Sequence, residues 1–443
     1  MAVFVLGFLV VAVSLRQAAA LKLAFGSCNK QDLDQSYWQT ILERAPDVWL
    51  WGGDIVYGDK AGLLFPPGRS GSNAADEPMV DGSTYTCIGG IVCFTAGTPN
   101  HLRAQYAKQN ATEGYQVLAQ AVSKVLGIWD DHDMGVNDGD FRYKWREESK
   151  QALLDFLGEP LDSPRRQRAG VWDSWLAPGP AGRRVAFHLL DVRHNKMPYG
   201  DPNGDFLGEE QWAWLEESLR AMRDEAAVNV VVSGLQVLRP WPRGGEVWAR
   251  FPAAHARLLR TLAASRARGL VLLSGDVHMA QLSALRCGDV VVHELTSSGL
   301  THSLAELAFP ARWVARLILW LFPQHHLLAD TWFKRNFGEL EIDVDENGVA
   351  TVLGRIISVH PDRSRGRVVV ERAFPQLSAG ESWDASACEP IMGAESPKEF
   401  WLRLGLVVAS ACIIAVVFSI VFAVVICPLC CSRSSVTSKS HQE

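Results

Sequence analysis

Short apolar segments of this chain repeatedly lead into loops that contain glycine together with aspartate, cysteine or histidine. The motifs that follow these strand-like segments are GSCN, GGD, DDHD and SGDVH. Helical periodicity separates several of the segments, and strands that alternate with helices are typical of layered α/β domains. Functional groups in such sheets gather at the carboxyl ends of the strands. The pattern therefore predicts an α/β fold in which these polar groups converge from distant parts of the chain.

The densest polar group is Gly127–Asp138, GIWDDHDMGVND, which follows the strand-like segment Val122–Ile128. Carboxylates this close repel one another unless positive charge lies among them. A helix cap or a surface turn would use one or two of them. Hard oxygen ligands beside an imidazole suit a divalent or trivalent metal ion together with proton transfer. The segment therefore predicts a metal site, with an acidic turn as the alternative.

Two further motifs carry metal-type side chains just beyond a strand. GGDxxY supplies Asp54 and Tyr57, and SGDVH supplies Asp276 and His278. An aspartate can bridge two metals, and a tyrosinate or thiolate favours a ferric ion over magnesium. The alternatives are a packed aromatic ring for Tyr57 and a buried or disulfide-bonded cysteine for Cys28.

The motifs GSCN, WGGDIVYGD, WDDHDMGVND, LLDVRHNKMPYGD, LSGDVHMAQLS and ELTSSGLTHS stand in this order along the chain. The set resembles the alkaline phosphatase D (PhoD-like) metallophosphatases of the calcineurin-like metallophosphoesterase superfamily. The resemblance extends from Leu21 to about Phe374. It implies a four-layer β-sandwich flanked by helices. It also implies metal-dependent hydrolysis of phosphate monoesters or diesters by an activated water.

The resemblance also implies cofactors and residue roles. Iron and calcium, or other divalent ions, are the expected cofactors. The expected iron ligands are Cys28, Asp54, Tyr57 and His278. The expected ligands of the divalent ion are Asp54, Asp131, Asn137 and Asp276. His132 is expected to be the general acid.

The resemblance is less specific about the roles of three other residues. Arg193 and His302 are expected near the phosphate, although Arg193 fits an ordinary ion pair equally well. Gln236 stands where many superfamily members have a metal-binding histidine. It is therefore expected to be a neighbour of the metals and not a ligand.

Both ends of the chain are apolar. Residues 1–20 fit a signal peptide, because Ala18 and Ala20 suit cleavage before Leu21. The uncharged run Leu404–Ile426 has the length of a bilayer span. The predicted organisation is signal peptide 1–20, metallophosphatase domain 21–374, stalk 375–401, transmembrane helix 402–427 and cytoplasmic tail 428–443.

This organisation predicts a type I membrane protein of the secretory pathway or cell surface, with an extracellular or lumenal catalytic domain. An oxidising compartment would allow disulfides, and Cys87 with Cys93 and Cys287 with Cys388 are candidate pairs. Asn110 begins a glycosylation sequon. The net charge of −6 gives no reason to expect nucleic-acid binding, so the expected partners are a phosphate ester and the membrane.

Two other functions use the same features. One is a non-catalytic receptor or adhesion ectodomain on this fold, which the retained metal-type residues disfavour. The other is a metal-dependent esterase or nuclease, and the lack of a basic groove disfavours the nuclease. The segment Gly58–Thr98 is rich in Gly, Pro and Ser and predicts a long surface loop that shapes the pocket.

Overall fold

The computed structural model describes residues 20–63, 85–88, 92–201, 203–239, 245–307, 311–321, 324–374, 380, 382–393 and 397–421. The predicted signal peptide, apart from residue 20, and the predicted cytoplasmic tail lie outside the described residues. The described chain has a mixed α/β fold with two large sheets and one small sheet, which confirms the α/β part of the predicted fold class.

The strands are β1 (Leu21–Gly26), β2 (Val48–Gly52), β3 (Lys60–Leu63), β4 (Tyr85–Ile88), β5 (Val92–Thr95), β6 (Lys124–Ile128), β7 (Asp173–Pro178), β8 (Arg184–Leu189), β9 (Ala226–Val232), β10 (Leu270–Ser274), β11 (Ala280–Cys287), β12 (Val290–Ser297), β13 (Asn336–Val344), β14 (Ala350–Ser358), β15 (Val368–Phe374) and β16 (Cys388–Pro390). The α-helices are α1 (Tyr37–Glu43), α2 (Pro99–Asn110), α3 (Glu113–Ala121), α4 (Asp131–Met134), α5 (Arg146–Phe156), α6 (Glu209–Met222), α7 (Pro252–Ser265), α8 (Ala311–Leu321) and α9 (Pro397–Val421).

The two large sheets have parallel centres. The six-stranded sheet has the order β15-β14-β13-β1-β2-β6, and the seven-stranded sheet has the order β16-β11-β12-β10-β9-β8-β7. Strands β1, β2 and β6 are parallel, and Gly26, Trp51 and Gly127 are in register across them. Strands β8, β9, β10 and β12 are parallel in the other sheet. The carboxyl ends of neighbouring parallel strands therefore open onto one edge of each sheet.

Alternation along the central strands divides their side chains between separate cores. Leu50 of β2 and Leu273 of β10 belong to one apolar cluster that both large sheets share. On the other face of β2, Trp49 and Trp51 pack against Trp38 of α1, with ring centroids 5.2 and 5.4 Å away. Helices α6 and α7 cover the outer face of the seven-stranded sheet in the same manner. Both faces of β2 are buried, which explains its continuous apolar sequence.

The segment Gly58–Thr98 differs from the predicted irregular loop. Its described parts form a three-stranded antiparallel sheet of order β3-β5-β4. Cys87 and Cys93 stand opposite each other in the register of β4 and β5. Short strands among Gly, Pro and Ser give no long alternation, so the sequence did not indicate them.

The end of the described chain also departs from the predicted boundaries. Cys388–Pro390, within the predicted stalk, forms β16 and pairs with β11. The disulfide between Cys287 and Cys388, one of the candidate pairs, holds this strand in the sheet. These three residues of the predicted stalk are therefore paired with the seven-stranded sheet.

The described residues divide into two compact units. The first contains the three sheets and reaches from the start of β1 to Leu307 and from His326 to Met392. The second contains α8 and α9. Helix α9 includes the one described stretch that is long and apolar enough to cross a membrane, Lys398–Val416, and none of it is buried.

Candidate metal centre

The carboxyl ends of the parallel strands bring together side chains from distant parts of the chain. Cys28 follows β1, Asp54 follows β2 and Asp131 follows β6, while Asp276 and His278 follow β10 of the other sheet. The Cys28 Sγ lies 3.4 Å from Asp54 Oδ2 and 3.6 Å from the backbone oxygen of Asp276. The structure thus brings together the residues that the sequence motifs singled out.

The backbone at these strand ends adopts an uncommon conformation. Cys28, Asp54, Asp276 and His278 have positive φ values of 57°, 50°, 69° and 54°. Residues other than glycine rarely occupy this left-handed region, because the Cβ atom is crowded there. Such conformations are found at functional sites that the surrounding structure holds in place.

Four groups of ligand atoms among the described residues could each hold an ion, and the atoms within each group lie within 4.8 Å of one another. Apart from Asp131 with Asp138 and Glu246, they form three groups that overlap: Cys28 with Asp54 and His278, Asp54 with Asp131 and His132, and Asp54 with Asp130, Asp131 and Asp276. The Asp54 carboxylate belongs to all three. It is therefore placed to bridge two metal ions.

The carboxylates of the centre fit bound cations. Asp54 Oδ1 and Asp130 Oδ2 are buried and have no hydrogen-bond partner among the described residues. Burial raises the pKa of Asp54 well above its usual value, and the neighbouring Asp131 raises it further. Buried carboxylates without partners are costly unless they are paired or bind a metal. The residues present therefore fit a metal centre.

A thiol and a phenol complete the donor set on one side of the centre. The Cys28 thiol is free and buried, which excludes the disulfide alternative, and its Sγ lies 2.9 Å from Ser298 Oγ. The Tyr57 hydroxyl lies 3.5 Å from Asp54 Oδ2 and 3.4 Å from His278 Nε2. Burial raises the pKa of both Cys28 and Tyr57. A nearby cation would therefore favour their deprotonation.

His132 lies in the short helix α4 with its ring held from two sides. Its Nδ1 donates to Asp59 Oδ1 at 2.7 Å, and its ring stacks on Tyr57 with centroids 4.0 Å apart. Burial alone would lower the pKa of His132, but the charges of Asp131, Asp59 and Asp54 outweigh it and raise the pKa. Sequence reasoning missed Asp59, although it closes the motif WGGDIVYGD.

The aspartates of the acidic segment have different roles. The Asp130 carboxylate is the N-cap of α4, in a capping box with Asp133. Asp133 also accepts from the backbone N–H groups of Ile55 and Val56. Asp133 is therefore a structural residue that ties α4 to the loop after β2.

Arg193 is fully buried among carboxylates. Its guanidinium donates to Asp130 and to Glu246, and its Nη2 lies 3.8 Å from Asp131 Oδ1. Burial alone would raise the pKa of Asp131, but Arg193 and His132 hold it below its usual value. Lys196 Nζ lies 3.0 Å from Glu246 Oε1. The contacts of Arg193 are those of the ion-pair alternative, and sequence reasoning missed Glu246 and Lys196.

The remaining predicted residues surround the centre. His302 Nε2 lies 3.0 Å from the Tyr57 hydroxyl, and burial with neighbouring positive charge lowers the pKa of His302 to about 2. Asn137 is buried, and its backbone N–H donates to Asp59 Oδ2 at 2.8 Å. Gln236 donates through Nε2 to Gln281 Oε1 at 2.8 Å. A role for Asn137 as metal ligand stays a prediction.

The two-sheet α/β fold and this set of buried and half-buried carboxylate, thiol, phenol and imidazole groups are typical of a metal-dependent enzyme. The sequence profile of the PhoD-like phosphatase family matches residues 23–351, well over half of the chain. The chain therefore belongs to this family and is a phosphoric ester hydrolase.

Solved structures of similar fold include PhoD, with 15% identity over 86% of this chain and 73% of that chain and a TM-score of 0.56. They also include GAP50, titled the anchor in the inner membrane complex of Plasmodium, with 13% identity over 86% and 98% of the two chains and a TM-score of 0.47. A dimetal phosphatase from Danio rerio has 12% identity over 81% and 100% and a TM-score of 0.44. No curated protein gave a significant match to the chain.

Proposed function

We propose that this chain hydrolyses phosphate monoesters or diesters at a centre of two metal ions bridged by Asp54, on a four-layer metallophosphoesterase-type sandwich. The observation that carries the proposal is the position of the Asp54 carboxylate, which belongs to three of the four groups of candidate ligand atoms and is buried with Oδ1 unpaired among the described residues. The family supplies the class of reaction. The overlap of three ligand groups at Asp54 supports a pair of ions.

The donor chemistry assigns the ions to two sides of Asp54. Cys28, Tyr57 and His278 would hold an iron ion with Asp54, because thiolate and phenolate ligands favour it. Asp131, Asp276 and Asn137 would hold calcium or another divalent ion, because such ions prefer oxygen ligands. Bound ions of this kind supply positive charge for the phosphate oxygens and lower the pKa of water.

His132 would act as general acid toward the leaving oxygen. The Asp59 carboxylate occupies Nδ1, which leaves Nε2 as the ring nitrogen that can exchange a proton with substrate. Three surrounding carboxylates favour the protonated ring. A protonated Nε2 can then donate to the leaving oxygen, which would otherwise depart as an alkoxide.

Two further residues would act near the substrate. His302 contacts the Tyr57 hydroxyl and stays neutral, so it can hydrogen-bond the phosphate without adding charge. Arg193 would act through the carboxylates it pairs with, keeping Asp131 ionised. His302 would therefore bind the substrate, and Arg193 would be a positioning residue.

The enzyme would be anchored by α9 as a type I membrane protein with the catalytic domain outside the cytosol. Large apolar side chains of α9 are exposed, for example Ile413 at 64% and Ile414 at 68%, as expected for a lipid-facing span. The Cys287–Cys388 disulfide suits an oxidising compartment. The exposed Asn110 sequon is available for glycosylation there.

The test is a paired assay on the purified full chain. Elemental analysis is expected to find iron and a second metal, and the protein is expected to hydrolyse p-nitrophenyl phosphate or bis-p-nitrophenyl phosphate. Chelation should abolish turnover, and restoring the ions should return it. Protein that is metal-free and inert on both esters would contradict the proposal and favour the alternative, a non-catalytic receptor or adhesion ectodomain.

A further inference from the structure

Helix α8 carries an exposed apolar stripe that the catalytic function does not use. Trp313, Leu317 and Trp320 follow at i, i+4 and i+7, which places them on one face. They are 58%, 40% and 47% exposed. Arg316 is exposed on the neighbouring face, so a border between polar and apolar surface runs along the helix. Contiguous exposed apolar surface of this kind marks an interaction site.

Contacts within the second compact unit fix α8 beside the first turns of α9. Arg403 donates through Nη1 to the backbone oxygen of Trp320 at 2.6 Å, and its guanidinium lies 5.5 Å from the Trp320 ring centroid. His325, shortly after α8, lies 3.0 Å from Glu399 Oε2 through its Nε2. The carboxyl end of α8 is therefore level with residues 399–403.

The apolar span of α9 begins directly after residues 399–403. Charged residues of α9 end at Arg403, and residues 404–421 contain no charged side chain. The boundary between headgroups and hydrocarbon of a bilayer crossed by α9 would therefore fall close to Arg403 and Trp320. An exposed tryptophan at this depth has a specific physical reason, because indole rings favour the membrane–water interface.

We propose that α8 lies in the interface of the membrane that α9 crosses, with Trp313, Leu317 and Trp320 inserted among the lipid headgroups and upper acyl chains. This inference rests on the membrane anchor in the proposed function. The occupant of the stripe is a lipid surface, because the neighbouring span already places a bilayer at this level. Amphipathic helices rich in tryptophan and arginine bind membranes in this orientation. The chain would thus meet the membrane through a span and a surface helix.

The experiment uses the full chain in phosphatidylcholine vesicles whose lipids are brominated near the headgroup end of the acyl chains. Bromine quenches tryptophan fluorescence on contact. Subtracting the spectrum of a variant from that of the native chain isolates the replaced residues among the 16 tryptophans. The double variant Trp313→Phe/Trp320→Phe reports on α8 and Trp401→Phe on the span. Trp214→Phe in α6 is the control.

The α8 signal and the Trp401 signal are both expected to fall by roughly half in brominated vesicles, whereas the Trp214 signal stays constant. A quenched Trp401 signal with an unquenched α8 signal would overturn the inference and leave the anchor standing. If, in addition, chemical cross-linking captures a dimer, the stripe would be assigned to contact with a second copy of the chain. If neither signal is quenched, the anchor fails and the inference fails with it. Ester hydrolysis is measured on the same samples and tests catalysis separately.

Discussion

Asp59 Oδ1 lies 2.7 Å from His132 Nδ1, and the two side chains are 1% and 7% exposed. The second Asp59 oxygen accepts the backbone N–H of Asn137 at 2.8 Å, so the carboxylate is itself held in place. A carboxylate on one ring nitrogen fixes the tautomer and the orientation of a histidine. The general-acid role proposed for His132 would therefore depend on a residue five positions beyond Asp54.

The first prediction is that Asp59→Asn lowers kcat while metal content is retained. The amide keeps the size of the carboxylate but removes the charge that favours protonated His132. We expect a loss of about 10- to 100-fold, the range found for partners that orient a catalytic or ligating histidine. Turnover of p-nitrophenyl phosphate with elemental analysis of the same sample measures both quantities.

His132→Ala provides the comparison for this prediction. It should lower kcat by about 10²- to 10⁴-fold without loss of metal. Asp59→Asn should then have little additional effect in the His132→Ala background, because the two residues act as one unit. Equal fractional losses in both backgrounds would show that Asp59 acts independently of His132. Full turnover by His132→Ala would exclude it as general acid.

The second prediction concerns the bridging carboxylate. Asp54→Asn should lose bound metal and activity together, because Asp54 belongs to three of the four groups of candidate ligand atoms. Asp140→Asn is a matched control, since Asp140 is also buried but pairs with Arg142 at 2.7 Å outside those groups. Metal content by elemental analysis separates the two variants. An Asp54→Asn protein with its full complement of metal would argue against the bridge.

Sequence patterns predicted the position of the site better than its supporting contacts. Cys28 and Asp54 follow short, strongly apolar strands, and parallel strands bring their ends to one edge. Glu246 comes from a stretch without regular periodicity, so no pattern linked it to Arg193. The contact arises only from tertiary packing.

The sequence also did not predict some boundaries of helices and strands. The sequence His101–Leu118 has helical periodicity and would by itself predict one helix. The structure divides it between α2 and α3, because Thr112 adopts an extended backbone and begins a new helix. Apolar periodicity continues through Thr112, so the sequence pattern does not reveal the break between the two helices. The three-stranded sheet was not predicted from the sequence, because strands of four residues are too short to show a period.

The third prediction assigns a role to that small sheet. Phe94 of β5 lies against the ring of His132, with centroids 5.7 Å apart. A leaving group protonated by His132 would therefore contact the aromatic ring of Phe94. Phe94→Ala should lower kcat/KM about tenfold for aryl phosphate esters and much less for alkyl esters. Phe141→Ala, which removes an exposed ring outside the site, is the control. An equal loss on both ester classes would mean that Phe94 supports the fold and not specificity.

The fourth prediction is a loss of stability in acid. Burial lowers the pKa of His188 to about 4, and its ring nitrogens lie 2.9 Å from Ser218 Oγ and 3.0 Å from Asn229 Oδ1. The unfolded chain binds this proton near its usual pKa of about 6.5, so stability is full above that pH and falls toward pH 4. The contribution of one such histidine is about 3 kcal/mol.

Unfolding by urea at several pH values tests this. His188→Gln should flatten the dependence of the free energy of unfolding on pH across this window. A residual slope is expected from His255 and His293, because burial also lowers their pKa to about 4. An unchanged slope in the variant would mean that His188 does not remain neutral in the folded protein.

The fifth prediction concerns the link between β11 and β16. The Cys287–Cys388 disulfide closes a loop of 101 residues, and constraining so long a loop in the unfolded chain is expected to stabilise the fold by about 2–4 kcal/mol. Strand β16 has three residues, so its backbone pairing alone holds it weakly. Cys287→Ser/Cys388→Ser should therefore lower the unfolding midpoint and expose the β16 amides to hydrogen exchange. Cys412→Ser, at a free and exposed cysteine of α9, should change neither. Protected β16 amides in the double variant would show that packing, and not the disulfide, holds the strand.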